Sequence, residues 1–354
     1  MTNIAIVGAG LMGTATAYPL ADNGHAVRLV GTHLDGEIIQ SCREHRYHPR
    51  LKRKLPATVQ PYTVEEMAQA LDGVDTIVSG VNSSGAHWIG QTIGPYLRPG
   101  QWIIAVTKGL EAAENGDLVI LPDVLYGELP AGVRDQVHLA AIGGPCIAGE
   151  LAGRRPTCVV FASRDPDAVE RLAALFRTPY YHVWTTTDLV GLEVCAALKN
   201  AYTLGVGLAA GLLERTGGVD AAGAHMYNLA AAAFGQACTE IERLLHIVGG
   251  TRAFAYWLPG AGDLYVTCQG GRTVRLGRLL GLGHTFAEAQ EIMAGETLEA
   301  AQIVRVMGHV LPKLAARGIV NPQDFPLLRT LVDVVVYGRP VAFPLDAFSH
   351  NGYF

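Results

Sequence analysis

Short apolar runs of four to six residues recur through the first half of the chain, each closed by glycine or a polar turn. Residues 4–7, 26–30, 76–81, 102–106, 138–142, 157–162 and 181–185 read as strands by this pattern. Helix-compatible stretches at 14–21 and 64–71 fall between them. This alternation over the first 185 residues predicts a doubly wound, mostly parallel sheet. The pattern then changes. From Asp188, a plausible N-cap, strand signals stop and long helical segments follow at 189–213, 220–248, 286–293, 299–317 and 325–337. Residues 189–213 are small and apolar nearly all round, as a buried helix should be. In 220–248, Met226, Leu229, Ala230, Ala233, Ala237, Ile241, Leu244 and Leu245 recur at three- and four-residue spacing, which marks a core stripe. We therefore expect an α/β domain over 1–188 and an all-α domain over 189–354, with no repeat and no Pro/Ser-rich linker between them.

The first strand runs directly into Gly8-Ala9-Gly10-Leu11-Met12-Gly13, and a helix follows. Strand, glycine turn and helix in that order form a dinucleotide-binding unit. Gly8 permits the tight turn, Gly10 lets the backbone approach a pyrophosphate, and Gly13 lets helix and strand pack closely. The helix N-terminus, opening at Leu11 and Met12, offers free N–H groups to phosphate. An NAD-specific protein usually carries Asp or Glu at the end of the second strand. Here Gly31-Thr32-His33 stands there, so NADP is permitted and mildly favoured over NAD. Thr32 and His33 either donate to a 2′-phosphate or only form the turn, and the sequence alone weighs the two equally. The charge cluster Arg50-Leu51-Lys52-Arg53-Lys54 reads first as a solvated surface, with the adenosine phosphate as its alternative.

Composition mainly removes possibilities. Of 354 residues, 49% are apolar, enough for two cores. The net charge of −5 and the lack of a long basic block point away from nucleic acid. Six cysteines without a CxxC pair read as free thiols of a reducing cytoplasm. Met-Thr-Asn leading into a strand does not read as a signal peptide. No apolar run reads as the roughly 20 residues that span a bilayer. Twelve histidines form no metal-ligand spacing, so no metal is expected.

Two lysines stand out, because lysine is costly to bury. Lys108 ends the strand at 102–106, on the side where ligands bind open α/β sheets. Asn82-Ser83-Ser84-Gly85 closes the neighbouring strand on that same side. Lys199 sits inside Val194-Cys195-Ala196-Ala197-Leu198-Lys199-Asn200-Ala201. A lysine there either snorkels to water or has a task. Desolvation and a second cation would bring its pKa down from about 10.4 toward neutrality, where it can act as a general base. Asp263 lies in the glycine-rich turn Gly260-Ala261-Gly262-Asp263. Gly270-Gly271-Arg272-Thr273 follows, with backbone N–H groups and a guanidinium suited to phosphate. Together with a dinucleotide loop, these suggest a small phosphorylated substrate oxidised or reduced by a nicotinamide.

The chain resembles the NAD(P)-dependent glycerol-3-phosphate dehydrogenases across nearly its whole length. The residues that carry the likeness are Gly8–Gly13, Thr107-Lys108-Gly109-Leu110, Gly144-Pro145 with Ala148 and Glu150, Ala197-Leu198-Lys199-Asn200, Gly262-Asp263-Leu264 and Gly271-Arg272. Gly31-Thr32 and His48-Pro49-Arg50-Leu51 look most like archaeal-type members. The resemblance implies a Rossmann-like N-terminal domain, an all-helical C-terminal domain, an active site in the cleft between them, and often a homodimer. It also implies roles. Lys199 matches the general base, Lys108 a lysine at substrate and nicotinamide, and Asp263 a carboxylate that keeps the site in register. Arg272 matches a residue that reaches substrate phosphate and cofactor. Gly144 and Cys146 fall at substrate contacts, Ala148 at a cofactor contact, and Glu299 at a carboxylate near the cofactor.

The chain departs from that pattern in places. Thr273 replaces the usual Asn, Ala300-Ala301 replace Gly-Tyr, and Cys146 stands where Thr or Ala is commoner. These changes bear on the substrate more than on the reaction. One rival is therefore a dehydrogenase of the same fold acting on another polyol phosphate or a hydroxy acid. A rival of another class is a non-catalytic NADP(H) sensor, which would have no use for Lys108, Lys199 and Asp263 together.

Overall fold

A computed structural model of the chain describes residues 2–348. They divide into two compact units: residues 2–108 with 120–192, and residues 109–119 with 193–348.

The first unit is built on an eight-stranded sheet. Twelve strands occur among the described residues: β1 Asn3–Val7, β2 Ala26–Val30, β3 Tyr47–His48, β4 Arg53–Lys54, β5 Val59–Tyr62, β6 Thr76–Ser79, β7 Trp102–Ala105, β8 Leu110–Ala112, β9 Leu118–Ile120, β10 His138–Gly143, β11 Thr157–Ser163 and β12 Tyr181–Thr186. The sheet order is β12-β11-β10-β7-β6-β1-β2-β5. All pairings are parallel except β10 with β11. The chain first runs outward through β1, β2 and β5, then returns to β6 on the other side of β1. This reversal places the ends of β1 and β6 side by side, at the switch point where doubly wound sheets bind ligands. Helices cover both faces, and two apolar clusters fill the space. Ile4, Ile6 and Leu29 belong to one cluster, and Ala5, Val7, Val30 and Ile77 to the other, as the two-residue period of a sheet buried on both sides requires.

The seven strands expected from apolar runs are present. The polar stretch between residues 36 and 62 is more structured than its composition suggests. It forms the helix Gly36–His45, the antiparallel hairpin β3/β4 and the edge strand β5. β5 tolerates Pro61 because it lies at the sheet edge.

The second unit is helical apart from β8 and most of β9. This hairpin follows Lys108 and packs on the helix Glu299–Ala316. Lys313 donates to the Glu114 carbonyl, and Arg317 pairs with Asp117 at 2.6 Å. The helix Leu189–Arg215 corrects one expectation. At 27 residues, with an 18-residue window of mean hydropathy 1.2, it is long and apolar enough to cross a membrane, yet 89% of that window is buried inside the fold. It is a core helix. It also meets the helix Arg272–Leu282 backbone to backbone. A Cβ at Gly277 would lie 2.3 Å from the Leu204 carbonyl oxygen, and one at Gly281 2.3 Å from that of Leu208. The next expected helix is shorter than its pattern. It spans Tyr227–Val248, because Gly217, Gly218 and Gly223 at positive φ break the chain before it. Asp220 there caps a turn, accepting from the N–H groups of Ala222 and Ala224.

Candidate active site

In the first unit the site begins where β1 ends. Gly8 has φ +112°, and a Cβ there would lie 2.6 Å from the Gly80 carbonyl carbon. A Cβ at Gly13 would lie 2.4 Å from the Gly8 oxygen. The fold itself therefore demands glycine at both positions, and at Gly80 opposite them. Gly10 differs: its φ is an ordinary −68°, and the nearest atom to an added Cβ is 3.8 Å away. Among the described residues nothing requires glycine there, so the open space above it fits a ligand pressed against the backbone. Gly10 caps the helix Leu11–Asp22, which has no side-chain cap and no acidic residue in its first turn. Its first amides therefore lack a side-chain cap among the described residues, an arrangement suited to a pyrophosphate. Leu11 is exposed and Met12 half-buried at this helix start. The residues fit a bound dinucleotide.

The turn after β2 contains a carboxylate that the sequence reading passed over. Asp35 is 8% exposed, and its Oδ2 accepts from the N–H groups of Ala9 (3.2 Å) and Thr32 (2.9 Å) and from the Thr32 hydroxyl (2.8 Å). That hydroxyl also accepts from Leu34 N–H. Thr32 thus works inside the turn, while His33 is exposed and rests edge-on against Trp88. The basic side chains Arg50, Lys52, Arg53 and Lys54 are exposed on and beside the β3/β4 hairpin.

A cavity in the same unit is lined by Met12, Thr16, Val106, Lys108, Ile142, Gly144, Cys146 and Tyr181. Thr107 fixes the strand end before Lys108 by donating to the Val81 carbonyl at 2.8 Å. Gly144 has φ +114° and carries the chain from β10 past β11 to Cys146. The Cys146 sulfur lies 4.0 Å from that of Met12. Ala148 opens the helix Ala148–Ala152. The fold thus brings Met12, Lys108, Gly144 and Cys146 to one cavity. It adds Thr16 and Tyr181, which sit in a helix and a strand and carry no local sign of a site.

In the second unit the central feature is a buried ion pair. Lys199 is 7% exposed, and its Nζ lies 2.9 Å from Asp263 Oδ1 and 2.8 Å from Thr267 Oγ1. Asp263 opens the helix Asp263–Cys268, just after one π-helical turn at Leu258–Gly262. Thr267 lies one turn further on and donates its hydroxyl hydrogen to the Asp263 carbonyl, so its oxygen faces the ammonium. The spacing of four from Asp263 is the signal that could have found it. Gly271, at φ +94°, caps the helix Arg272–Leu282, so Arg272 and Thr273 stand at a helix N-terminus, where anions are favoured. Arg272 is exposed and Thr273 half-buried. Glu299 opens the helix Glu299–Ala316, and Ala300 and Ala301 behind it are fully buried. Among the described residues, no group of three His, Cys, Asp or Glu side chains could hold a metal ion.

Known proteins resemble this chain in sequence and fold. The family described as NAD-dependent glycerol-3-phosphate dehydrogenase matches through its N-terminal part at residues 3–169 and its C-terminal part at residues 188–343. An NADP(+)-dependent glycerol-3-phosphate dehydrogenase of Archaeoglobus fulgidus is 37% identical over 81% of this chain and 82% of its own. A glycerol-3-phosphate dehydrogenase [NAD(P)+] of Shouchella clausii is 32% identical over 96% and 93%. The solved glycerol-3-phosphate dehydrogenase of Coxiella burnetii superposes with a TM-score of 0.78 at 28% identity, covering 98% of this chain and 97% of that one. With two family matches covering most of its length, a glycine loop at the switch point and a buried lysine paired to aspartate, the chain belongs to the NAD(P)-dependent glycerol-3-phosphate dehydrogenase family.

Proposed function

We propose that the protein interconverts sn-glycerol 3-phosphate and dihydroxyacetone phosphate, and that it is an archaeal-type member of its family. The observation that carries this reading is the buried Lys199–Asp263–Thr267 cluster in a chain that also holds the glycine loop. The 37% identity to the Archaeoglobus protein supports the subtype. We take residues 1–188 and 189–354 as the two functional domains.

The loop Gly8–Gly13 would hold the pyrophosphate, with Leu11, Met12 and Ala148 beside the nucleotide and Glu299 and Arg272 as further contacts. A bound nicotinamide would supply the hydride donor and acceptor at its own C4, for exchange at C2 of the substrate. In reduction, Lys199 Nζ as ammonium passes a proton to the substrate oxygen as its carbon takes the hydride. In oxidation, neutral Lys199 receives that proton from the hydroxyl. Asp263 and Thr267 hold the amine in place, and the carboxylate offsets its charge in a site where an unpaired cation would be destabilising. Lys108 stabilises negative charge on the oxygen. Gly144 and Cys146 line the substrate, and Gly271, Arg272 and Thr273 take its phosphate at the helix N-terminus. Asp35 is turned toward the glycine loop, which leaves His33 and the exposed cations of the β3/β4 hairpin for a 2′-phosphate. This favours NADP over NAD. A homodimer in the cytoplasm is proposed on the resemblance and on six free thiols.

Side-by-side oxidation of NADPH and NADH with dihydroxyacetone phosphate tests the reading. Fast turnover supports reaction and substrate together, and the rate ratio reports cofactor choice. Binding of NADPH without turnover would reject the substrate and turn attention to Thr273 and Ala300-Ala301.

A further inference from the structure

The main chain at Ala9, inside the glycine loop, is held from both sides by residues far along the sequence. Its N–H donates to Asp35 Oδ2 at 3.2 Å, and its carbonyl accepts from His48 Nε2 at 2.9 Å. Both partners are buried, Asp35 at 8% exposure and His48 at 0%. The tautomer of His48 follows from its other nitrogen. Leu51 N–H donates to Nδ1 at 3.0 Å, so Nδ1 carries no hydrogen and Nε2 carries the one given to Ala9. Burial holds this imidazole below its ordinary pKa, which keeps Nδ1 an acceptor.

Peptide planarity gives these two bonds their reach. The Ala9 carbonyl and the Gly10 N–H belong to one trans peptide and point in opposite directions. Fixing the carbonyl toward His48 therefore aims the Gly10 N–H away from it. The Ala9 N–H and the Gly8 carbonyl are linked in the same way, and the Gly8 oxygen is the atom against which Gly13 packs. Asp35 and His48 thus set two successive peptide planes of a loop whose own residues offer no side chain to do so.

We propose that Asp35 and His48 are positioning residues that pre-arrange the glycine loop for the dinucleotide. This rests on reading the loop as the nucleotide site. A loop already held in its binding geometry loses less freedom on binding, so the gain appears in nucleotide affinity more than in the chemical step.

Two variants of His48 separate this role from a structural one. His48→Gln places an N–H donor near the position of Nε2 and keeps the bond to Ala9. His48→Asn places an acceptor near Nδ1, keeps the bond to Leu51 and loses Ala9. Titration of NADPH fluorescence should give a Kd for His48→Gln within about threefold of wild type, and one about tenfold weaker for His48→Asn. The KM for NADPH should rise in step, while kcat at saturating nucleotide changes by less than about twofold. Should His48→Asn fail to fold, Asp35→Ala frees the Ala9 N–H from the other side and carries the same test. A folded variant lacking its bond to Ala9 that binds NADPH within twofold of wild type would overturn the clamp. So would equal loss of affinity in the Gln and Asn variants. A wild-type protein that binds neither NADPH nor NADH would instead overturn the nucleotide reading itself, and the clamp with it.

Discussion

Two of the carboxylates buried in the helical unit, Asp263 and Glu240, face the same helix and have different partners. Asp263 faces Lys199, a cation, at 2.9 Å. The donors to Glu240 among the described residues are neutral. Its two oxygens accept from the Tyr202 hydroxyl (2.9 Å), the Gln236 amide (2.8 Å) and the N–H groups of Leu327 (2.8 Å) and Leu328 (2.9 Å). Lys199 and Tyr202 lie one turn apart on the helix Leu189–Arg215, so the two clusters share a scaffold. The Glu240 cluster ties three helices together, and the donors at Leu327 and Leu328 are the open N-terminal amides of the helix Pro326–Val335. That arrangement is a fastening. An amine held by an aspartate and a threonine can give and take a proton, so the other arrangement suits chemistry. Burial of a charge in this fold does not by itself mark a site. A cation as partner is what the proposed site has and the fastening lacks.

The largest effect should separate the two clusters by kind. Lys199→Ala should lower turnover by about a thousandfold or more, with NADPH affinity largely kept. It should also cost roughly 3 kcal/mol of stability, because Asp263 is left without its cation. Steady-state kinetics and denaturant unfolding read the two losses, and near wild-type turnover would remove Lys199 from the mechanism.

Next in size is the shared scaffold. Gly281→Ala forces a Cβ to 2.3 Å from the Leu208 carbonyl, and overpacking of this kind costs about 3 kcal/mol. A melting temperature unchanged from wild type would show that the two helices separate freely.

Glu240→Gln should be the reverse of Lys199→Ala, costing about 2 kcal/mol because an amide N–H₂ now faces a donor, while turnover of the folded enzyme holds. This carboxyl also has a pH signature. Burial pushes it from 4.5 up to about 7, against the pull of its four donors. The folded state therefore binds a proton that the unfolded chain has released, and stability falls as pH rises from 4.5 to 7. The stability advantage of wild type over Glu240→Gln should shrink across that interval, as urea unfolding at stepped pH would show. A constant difference would mean the carboxyl titrates alike in both states.

The smallest effect concerns Thr267. Thr267→Val keeps the shape and removes the oxygen that faces Lys199, so turnover should fall about tenfold with stability little changed. If turnover is unaffected, Asp263 alone orients the amine.

Much of this was legible in the chain because it is written locally. Gly8 and Gly13 sit five residues apart and serve one turn, and Lys199 stands out as a cation in an apolar helix. Lys108 was legible because a strand end in a parallel sheet is a ligand position. Asp263 in a glycine-rich turn became informative only through the family likeness, since its partner lies 64 residues away. Asp35, Thr16 and Tyr181 gave no sign, Thr267 only its spacing of four from Asp263, and His48 only its place in a family-like stretch, because an ordinary side chain acquires its role from what the fold sets beside it. Thr32 was weighed as a phosphate donor, and only its bond to Asp35 shows that the turn already uses it.

The sequence by itself determined the strand–turn–helix at the start, the change from strand to helix period near residue 188, and which residue types could do chemistry. Those depend on backbone preference and on the spacing of apolar side chains, which act over a few residues. The tertiary structure alone decided that Ala9 is gripped by Asp35 and His48, that Lys199 meets Asp263 and Thr267, and that Glu240 is a fastening. Each is a hydrogen bond between groups 26 to 88 residues apart. Such a bond forms only where packing has already brought both partners out of water and within 3 Å or so of each other.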